Sequence, residues 1–149
     1  MSLIDLIVED VVKIPMASND KPDVLRELVQ TLKAAGQIDD FDAVLQAVQE
    51  REDKLSTGLE NGIAVPHGKT TSVPNLKLAI GIAPQGIEFD AIDRNPSKLF
   101  FLLVAPPSQS GPHVEALAEI AKLGQSKAFC KALVNADDAR EVVDLIKGE

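Results

Sequence analysis

The chain of 149 residues carries two histidines, and the setting of one of them suits chemistry. His67 follows Gly62-Ile63-Ala64-Val65-Pro66 and precedes Gly68-Lys69. Proline stiffens the approach and glycine permits a sharp exit, so little bulk surrounds the ring. A neutral imidazole nitrogen is a competent nucleophile near neutral pH, and carrying a phosphoryl group is the chemistry that fits it. A phosphoryl group there needs donors for its equatorial oxygens. The Thr57 hydroxyl and the backbone N–H groups around Gly58, Gly68 and Lys69 are candidates, because glycine lets backbone approach an anion. The alternative is a surface-loop histidine with no role.

Two further residues have both a chemical and an ordinary reading. Arg51 is the nearest upstream cation with a planar fork suited to phosphate oxygens. It is equally a cation near a helix C-terminus, where the macrodipole favours it. His113 is expected beside a helix N-terminus, which disfavours its protonated form. It could donate a hydrogen bond to a phosphoryl group on His67 or orient that ring, or it could simply start the helix. Lys69 reads by itself as a solvated loop lysine.

Other chemistries find less support. The two histidines with Asp90 or Asp93 could ligate a metal, but paired metal spacings such as H-x-x-x-H and C-x-x-C are missing. There is no G-x-S-x-G for serine hydrolysis and no Gly-rich P-loop for a nucleotide. Phosphoryl transfer is mostly positioning and charge stabilisation, so it calls for neither a metal nor an organic cofactor on this chain.

These residues need a platform, and hydrophobic periodicity outlines one. Val11, Val12, Ile14 and Met16 read as a first strand, with Pro15 marking an edge or an end. Ser18-Asn19-Asp20 caps a helix with Val24, Leu25, Leu28, Val29 and Leu32 on one face, stopped by Gly36. Asp39-Asp40 caps a second helix, running out near Arg51-Glu52. Residues 62–65 form a short strand leading to His67, and 70–75 a loop. Leu76, Leu78, Ile80 and Ile82 alternate as a strand, closed by a turn at Pro84-Gln85-Gly86. A short strand at 87–89 and a turn at 93–96 follow. Residues 98–105 form a continuous apolar run, the pattern of a strand buried on both faces. A loop at 106–111 then delivers Pro112 as the first helical residue and His113 in the first turn. That helix ends at Gly124, and helices at 126–134 and 136–147 follow, the last capped by Asn135.

A central buried strand needs cover on both faces. The expected class is therefore α/β: a three-layer α/β/α sandwich on a small mixed sheet. No linker divides the chain, so residues 1–149 read as one domain.

Composition narrows the functions further. Apolar residues make up 45% and charged residues 26%, a globular balance, with a mainly aliphatic core because aromatics are only 3%. A net charge of −8 opposes nucleic-acid binding and adsorption to anionic membranes. A single cysteine, Cys130, fits a small core residue in a reducing cytosol. The first six residues meet acid early and do not read as a signal peptide. No run is long enough for a stable membrane span.

Arg51-Glu52, Ser56-Thr57-Gly58 and Gly62-Ile63-Ala64-Val65-Pro66-His67-Gly68 together resemble the signature of enzyme IIA domains of the fructose/mannitol family of the bacterial phosphotransferase system. Phe89-Asp90-Ala91-Ile92-Asp93, the run 99–106, and His113 followed by Val114 and Leu117-Ala118 extend the resemblance over nearly the whole chain. Within the family, residues 61–69 and 89–93 look most like the nitrogen-regulatory branch. Glu60 stands where the family commonly has glycine, and Val114 where it often has leucine.

The resemblance implies a cytoplasmic enzyme IIA-type phosphocarrier domain. In it, His67 takes a phosphoryl group from the histidine-containing phosphocarrier protein. His113 and Arg51 match the family's assisting histidine and arginine. The group then passes to an enzyme IIB in a sugar-transport protein, or its presence decides which regulatory targets bind. An apolar rim around His67 and a small transient interface are expected.

Overall fold

The computed structural model describes residues 3–148. Met1 and Ser2, part of the stretch read as no signal peptide, lie outside it, as does Glu149.

The apolar run forms strand β5 (Ser97–Ala105), and from Leu99 to Ala105 each residue is at most 1% exposed. Side chains alternate across a strand, so this burial needs two separate covers. Phe100, Leu102 and Val104 pack with Leu28, Leu32 and Val48 from α1 (Lys21–Ala34) and α2 (Phe41–Lys54). Leu99, Phe101, Leu103 and Ala105 pack instead with the helices of the C-terminal third: α3 (Ser110–Leu123), α4 (Lys127–Val134) and α5 (Ala139–Lys147). The architecture is the expected three-layer sandwich.

The sheet is mixed. β4 (Lys77–Ile87) runs antiparallel to β5, and β1 (Val12–Lys13) runs parallel to β4 at the edge. β2 (Ile63–Ala64) and β3 (His67–Lys69) both run parallel to β5 on its other side. Side-chain caps start most of the helices: Asp20, Asp40, Ser126 and Asp138 each accept a backbone N–H three residues on.

Several expected boundaries move, each for a local reason. The first strand stops at Lys13. Pro15 has no N–H to extend the ladder, and the chain rejoins through the Met16 N–H, which donates to the Ile82 carbonyl at 2.8 Å. Pro84-Gln85-Gly86 is not a turn. β4 runs through it, with a register irregularity between Ile82 and Ile87 and Gly86 at a φ of +77°. Ile87 therefore closes β4, and no separate strand forms at 87–89. α3 begins at Ser110 after a 3₁₀ turn at Pro107–Gln109, so Pro112 is its third residue. The position is harmless because the first four helical N–H groups have no partner in the helix anyway. Asn135 ends α4 instead of starting α5, whose cap is Asp138. Two 3₁₀ turns, Leu3–Leu6 and Glu9–Val11, precede β1, and Leu3 in the first turn and Ile7 between them complete the core against α3–α5.

Candidate phosphoryl-transfer site

His67 lies in β3, bonded in parallel register to β5 with Leu103, Val104 and Ala105 opposite His67, Gly68 and Lys69. This brings the ring to the carboxyl end of β5, where the chain turns into α3. Ligands favour such strand ends in α/β sheets. The end of α2 closes the third side. A Cβ on Gly68 would sit 3.0 Å from the Ala47 carbonyl carbon and the Val48 nitrogen. Gly68 is thus a strand residue that lets β3 lie against α2, not a sharp exit. Gly68→Val forces backbone against backbone and should cost about 1–3 kcal/mol. Urea unfolding measures this, and an unchanged midpoint would contradict the packing argument.

Arg51, Lys54, His67, Gly68, Lys69 and His113 all line one open cavity of about 410 Å³. A larger groove of about 790 Å³, beside α1 and β1, is lined by no histidine.

Ring geometry fixes which nitrogen of His67 carries the proton. His67 Nδ1 is 2.8 Å from the Val65 carbonyl oxygen. A carbonyl only accepts, so Nδ1 carries the proton and Nε2 holds the lone pair of the neutral ring. The His67 pKa lies below its ordinary value, mainly through burial. The Val65 bond works the other way, the Arg51 and Lys69 charges lower it further, and Glu52 raises it. The ring is therefore neutral at pH 7.

His113 stands edge-on to it, with ring centroids 5.3 Å apart and planes at 84°. His113 is 2% exposed, and neither of its ring nitrogens has a hydrogen-bond partner. Burial first, then the His67 and Lys69 charges, push its pKa down to about 4. The unfolded chain returns it to about 6.5 and binds more protons in between. This contribution to stability is complete above pH 6.5 and disappears as the pH falls toward 4. The whole effect is about 3 kcal/mol. His113→Leu should flatten the pH dependence of the urea midpoint over that interval, and an unaltered slope would count against it.

The cations are partly committed. Arg51 Nη1 donates to the Leu55 carbonyl at 2.7 Å, the helix-terminal role, while its side chain also lines the cavity. Lys69 Nζ donates to Ser110 Oγ at 3.1 Å, tying β3 to the start of α3.

Thr57 and Gly58 are not among the residues lining the cavity. The buried Thr57 gives its hydroxyl and its N–H to the Glu52 carboxylate, at 2.5 and 2.9 Å. The Gly58 N–H goes to Ser56 Oγ at 3.1 Å, and a Cβ on Gly58 would be 2.8 Å from Ala91 Cα. Glu60 is exposed in the Asn61-Gly62 turn and lines a different pocket. Glu52, which the sequence shows only as part of the family signature, and Lys21, to which it assigns no role, form a 2.8 Å ion pair. The available signal was an acid beside Arg51, five residues before Thr57.

The three most exposed large apolar side chains are Leu55, Ile92 and Val114, at 71%, 70% and 64% among the described residues. Leu55 follows α2 beside Arg51, and Val114 adjoins His113. Ile92 donates its N–H to the Gly58 carbonyl. Also among the described residues, no group of His, Cys, Asp and Glu could hold a metal ion, and no helix is long and apolar enough to cross a membrane.

Comparison with known proteins agrees with this geometry. Residues 5–149 match the family model described as the phosphoenolpyruvate-dependent sugar phosphotransferase system, EIIA 2. A fructose-specific EIIABC component of Bacillus subtilis is 32% identical over 98% of this chain, which spans 23% of that relative's length. A nitrogen regulatory protein of Bradyrhizobium diazoefficiens is 30% identical, with 98% of this chain and 95% of that one covered. The crystal structure of nitrogen regulatory protein IIA-Ntr from Neisseria meningitidis superposes with a TM-score of 0.89 at 26% identity, covering 97% of this chain and 98% of that one.

Proposed function

Since the chain belongs to the EIIA 2 family of the phosphoenolpyruvate-dependent sugar phosphotransferase system, we propose that it is a cytoplasmic phosphocarrier domain whose phosphoryl group rides on His67. The observation that carries this reading is the pairing of two rings. His67 is neutral and held by Nδ1, and it faces a buried His113 with no partner of its own.

The step follows from those rings. Nε2 of His67 attacks the phosphorus of the phosphohistidine on the phosphocarrier protein. A new N–P bond forms as the donor's N–P bond breaks, and the donor imidazole leaves with that electron pair. The proton stays on His67 Nδ1, donated to the Val65 carbonyl throughout, so no proton transfer to or from water is required. Phosphoryl oxygens in the cavity meet the Arg51 guanidinium, the Lys69 ammonium and one N–H of neutral His113. Such donors stabilise the charge in place. Exposed Leu55, bonded through its carbonyl to Arg51, and Val114, next to His113, supply apolar surface for a transient protein contact.

The nitrogen-regulatory branch is the reading we favour. A relative so named matches end to end, and the superposed IIA-Ntr structure covers nearly all of both chains. In this reading phosphorylation at His67 decides which target proteins bind. The second reading is sugar transport with transfer to an enzyme IIB, which the fructose-specific relative favours. The test is incubation with phosphoenolpyruvate, enzyme I and the phosphocarrier, followed by candidate acceptors. Acid-labile label on the wild-type chain is expected. Label passing on to an enzyme IIB would transfer the choice to transport, and no label at all would overturn the phosphocarrier reading.

A further inference from the structure

Thr57 is absent from the cavity lining, yet it is bonded toward His67. Its carbonyl accepts the Val65 N–H at 3.0 Å, and the Val65 carbonyl accepts His67 Nδ1–H at 2.8 Å. On the other side Thr57 gives both its N–H and its hydroxyl to Glu52. Glu52, 6% exposed, is held in turn by Lys21 Nζ at 2.8 Å. Lys21 lies 4.7 Å above the centre of the Phe89 ring and 3.3 Å from Asp90. A continuous polar chain therefore runs from the start of α1, through the end of α2 and the 56–58 loop, to the ring that does the chemistry.

We propose that Lys21 and Glu52 are positioning residues for His67, acting through Thr57 and the Val65 carbonyl to hold the ring as its Nδ1–H tautomer with Nε2 free. The proposal rests on His67 being the phosphoryl acceptor.

The physical argument concerns what holds the Val65 carbonyl in place. β2 is two residues long and ends at Ala64, so Val65 lies beyond its ladder. Beyond the ladder, the Val65 N–H is fixed by the Thr57 carbonyl. Thr57 itself belongs to neither a helix nor a strand, and its own N–H bonds to a side chain, Glu52. A buried carboxylate needs a countercharge and donors to remain ionised. Lys21 provides the charge and Thr57 two donors. Without Lys21 the carboxylate is uncompensated. Without Glu52 the Thr57 N–H and hydroxyl lose their acceptor and the loop can rotate. Either way the Val65 carbonyl loses its fixed aim, and the imidazole is free to exchange tautomers. Groups that orient a reactive histidine in this way are commonly worth about 10–100-fold in function.

The test uses the full chain. With only two histidines, ring ¹⁵N spectra report the His67 tautomer directly, and phosphorylation rates are measured on the same samples. Lys21→Met and Glu52→Gln should each reduce the Nδ1–H population and slow phosphorylation about tenfold, while the KM for the phosphocarrier stays unchanged. Their effects should not add, because one residue acts through the other. Lys21→Arg should restore both readouts. Wild-type tautomer and rate in Lys21→Met and Glu52→Gln would overturn the relay, as would full additivity in the double variant. If Glu52→Gln does not fold, the Met and Arg variants at Lys21 decide alone: equal tautomer populations in the two would overturn it. A tautomer shift in a chain whose wild type takes no phosphoryl group would leave the relay standing and refute the phosphocarrier reading instead.

Discussion

His67→Ala should take up no phosphoryl label from phosphoenolpyruvate, enzyme I and the phosphocarrier, while folding as the wild type does. The expected effect is complete, because no other side chain in the cavity combines a neutral nucleophilic nitrogen with access. His113 has nucleophilic nitrogens but is 2% exposed, so an incoming phosphorus has no open line to them, and only oxygens of a group already on the adjacent His67 ring come near. Lys69 and Arg51 are cations and hold no lone pair at neutral pH. Little stability should be lost, since the ring is only half-buried and its one hydrogen bond goes to a carbonyl. A net hydrogen bond of that kind is worth about 1 kcal/mol. The measurement is label retained after denaturing electrophoresis, with a thermal melt as the folding control. Label persisting in a folded His67→Ala chain would remove the nucleophile from the site.

Arg51→Ala is the next largest effect expected. Its guanidinium lines the same cavity as both histidines. It presents a planar fork where three phosphoryl oxygens must be met. Loss of one preorganised donor to a developing charge typically costs about 10²–10³ in rate, and that is the expected fall in phosphorylation. Arg51→Lys keeps the charge without the fork and should recover part of the rate. The loss should appear in the maximal rate more than in the KM, because the contact matters most while the group is in transit. The bond from Arg51 to the Leu55 carbonyl predicts a small stability loss as well. A rate within about threefold of wild type would place Arg51 in the helix-terminal role alone.

The sites that sequence could not place are those where one residue type serves two purposes and its folded surroundings choose between them. Thr57 and Gly58 look like phosphate donors in a Ser/Thr/Gly loop, because glycine and threonine serve equally for anions and for tight packing. Their donors go to Glu52 and Ser56, and Gly58 is small because Ala91 lies against it. Gly68 similarly answers to Ala47 and Val48 of α2. Pro84-Gln85-Gly86 has turn composition, yet pairing with β5 carries the strand through it as an irregularity.

The layers and one candidate imidazole can be read from residue order alone. The unbroken apolar run at 98–105 required helices on both sides, and capping residues marked where most of them begin. The Pro66-His67-Gly68 setting, with its family resemblance, singled out one imidazole. Tertiary contacts settle which His67 nitrogen is free, which donors face the cavity and which are spent inside the protein. Periodicity and propensity are local and survive in the linear text. A tautomer is set by the carbonyl that happens to face the ring, and here the fold brings Val65, Thr57, Glu52 and Lys21 into one line.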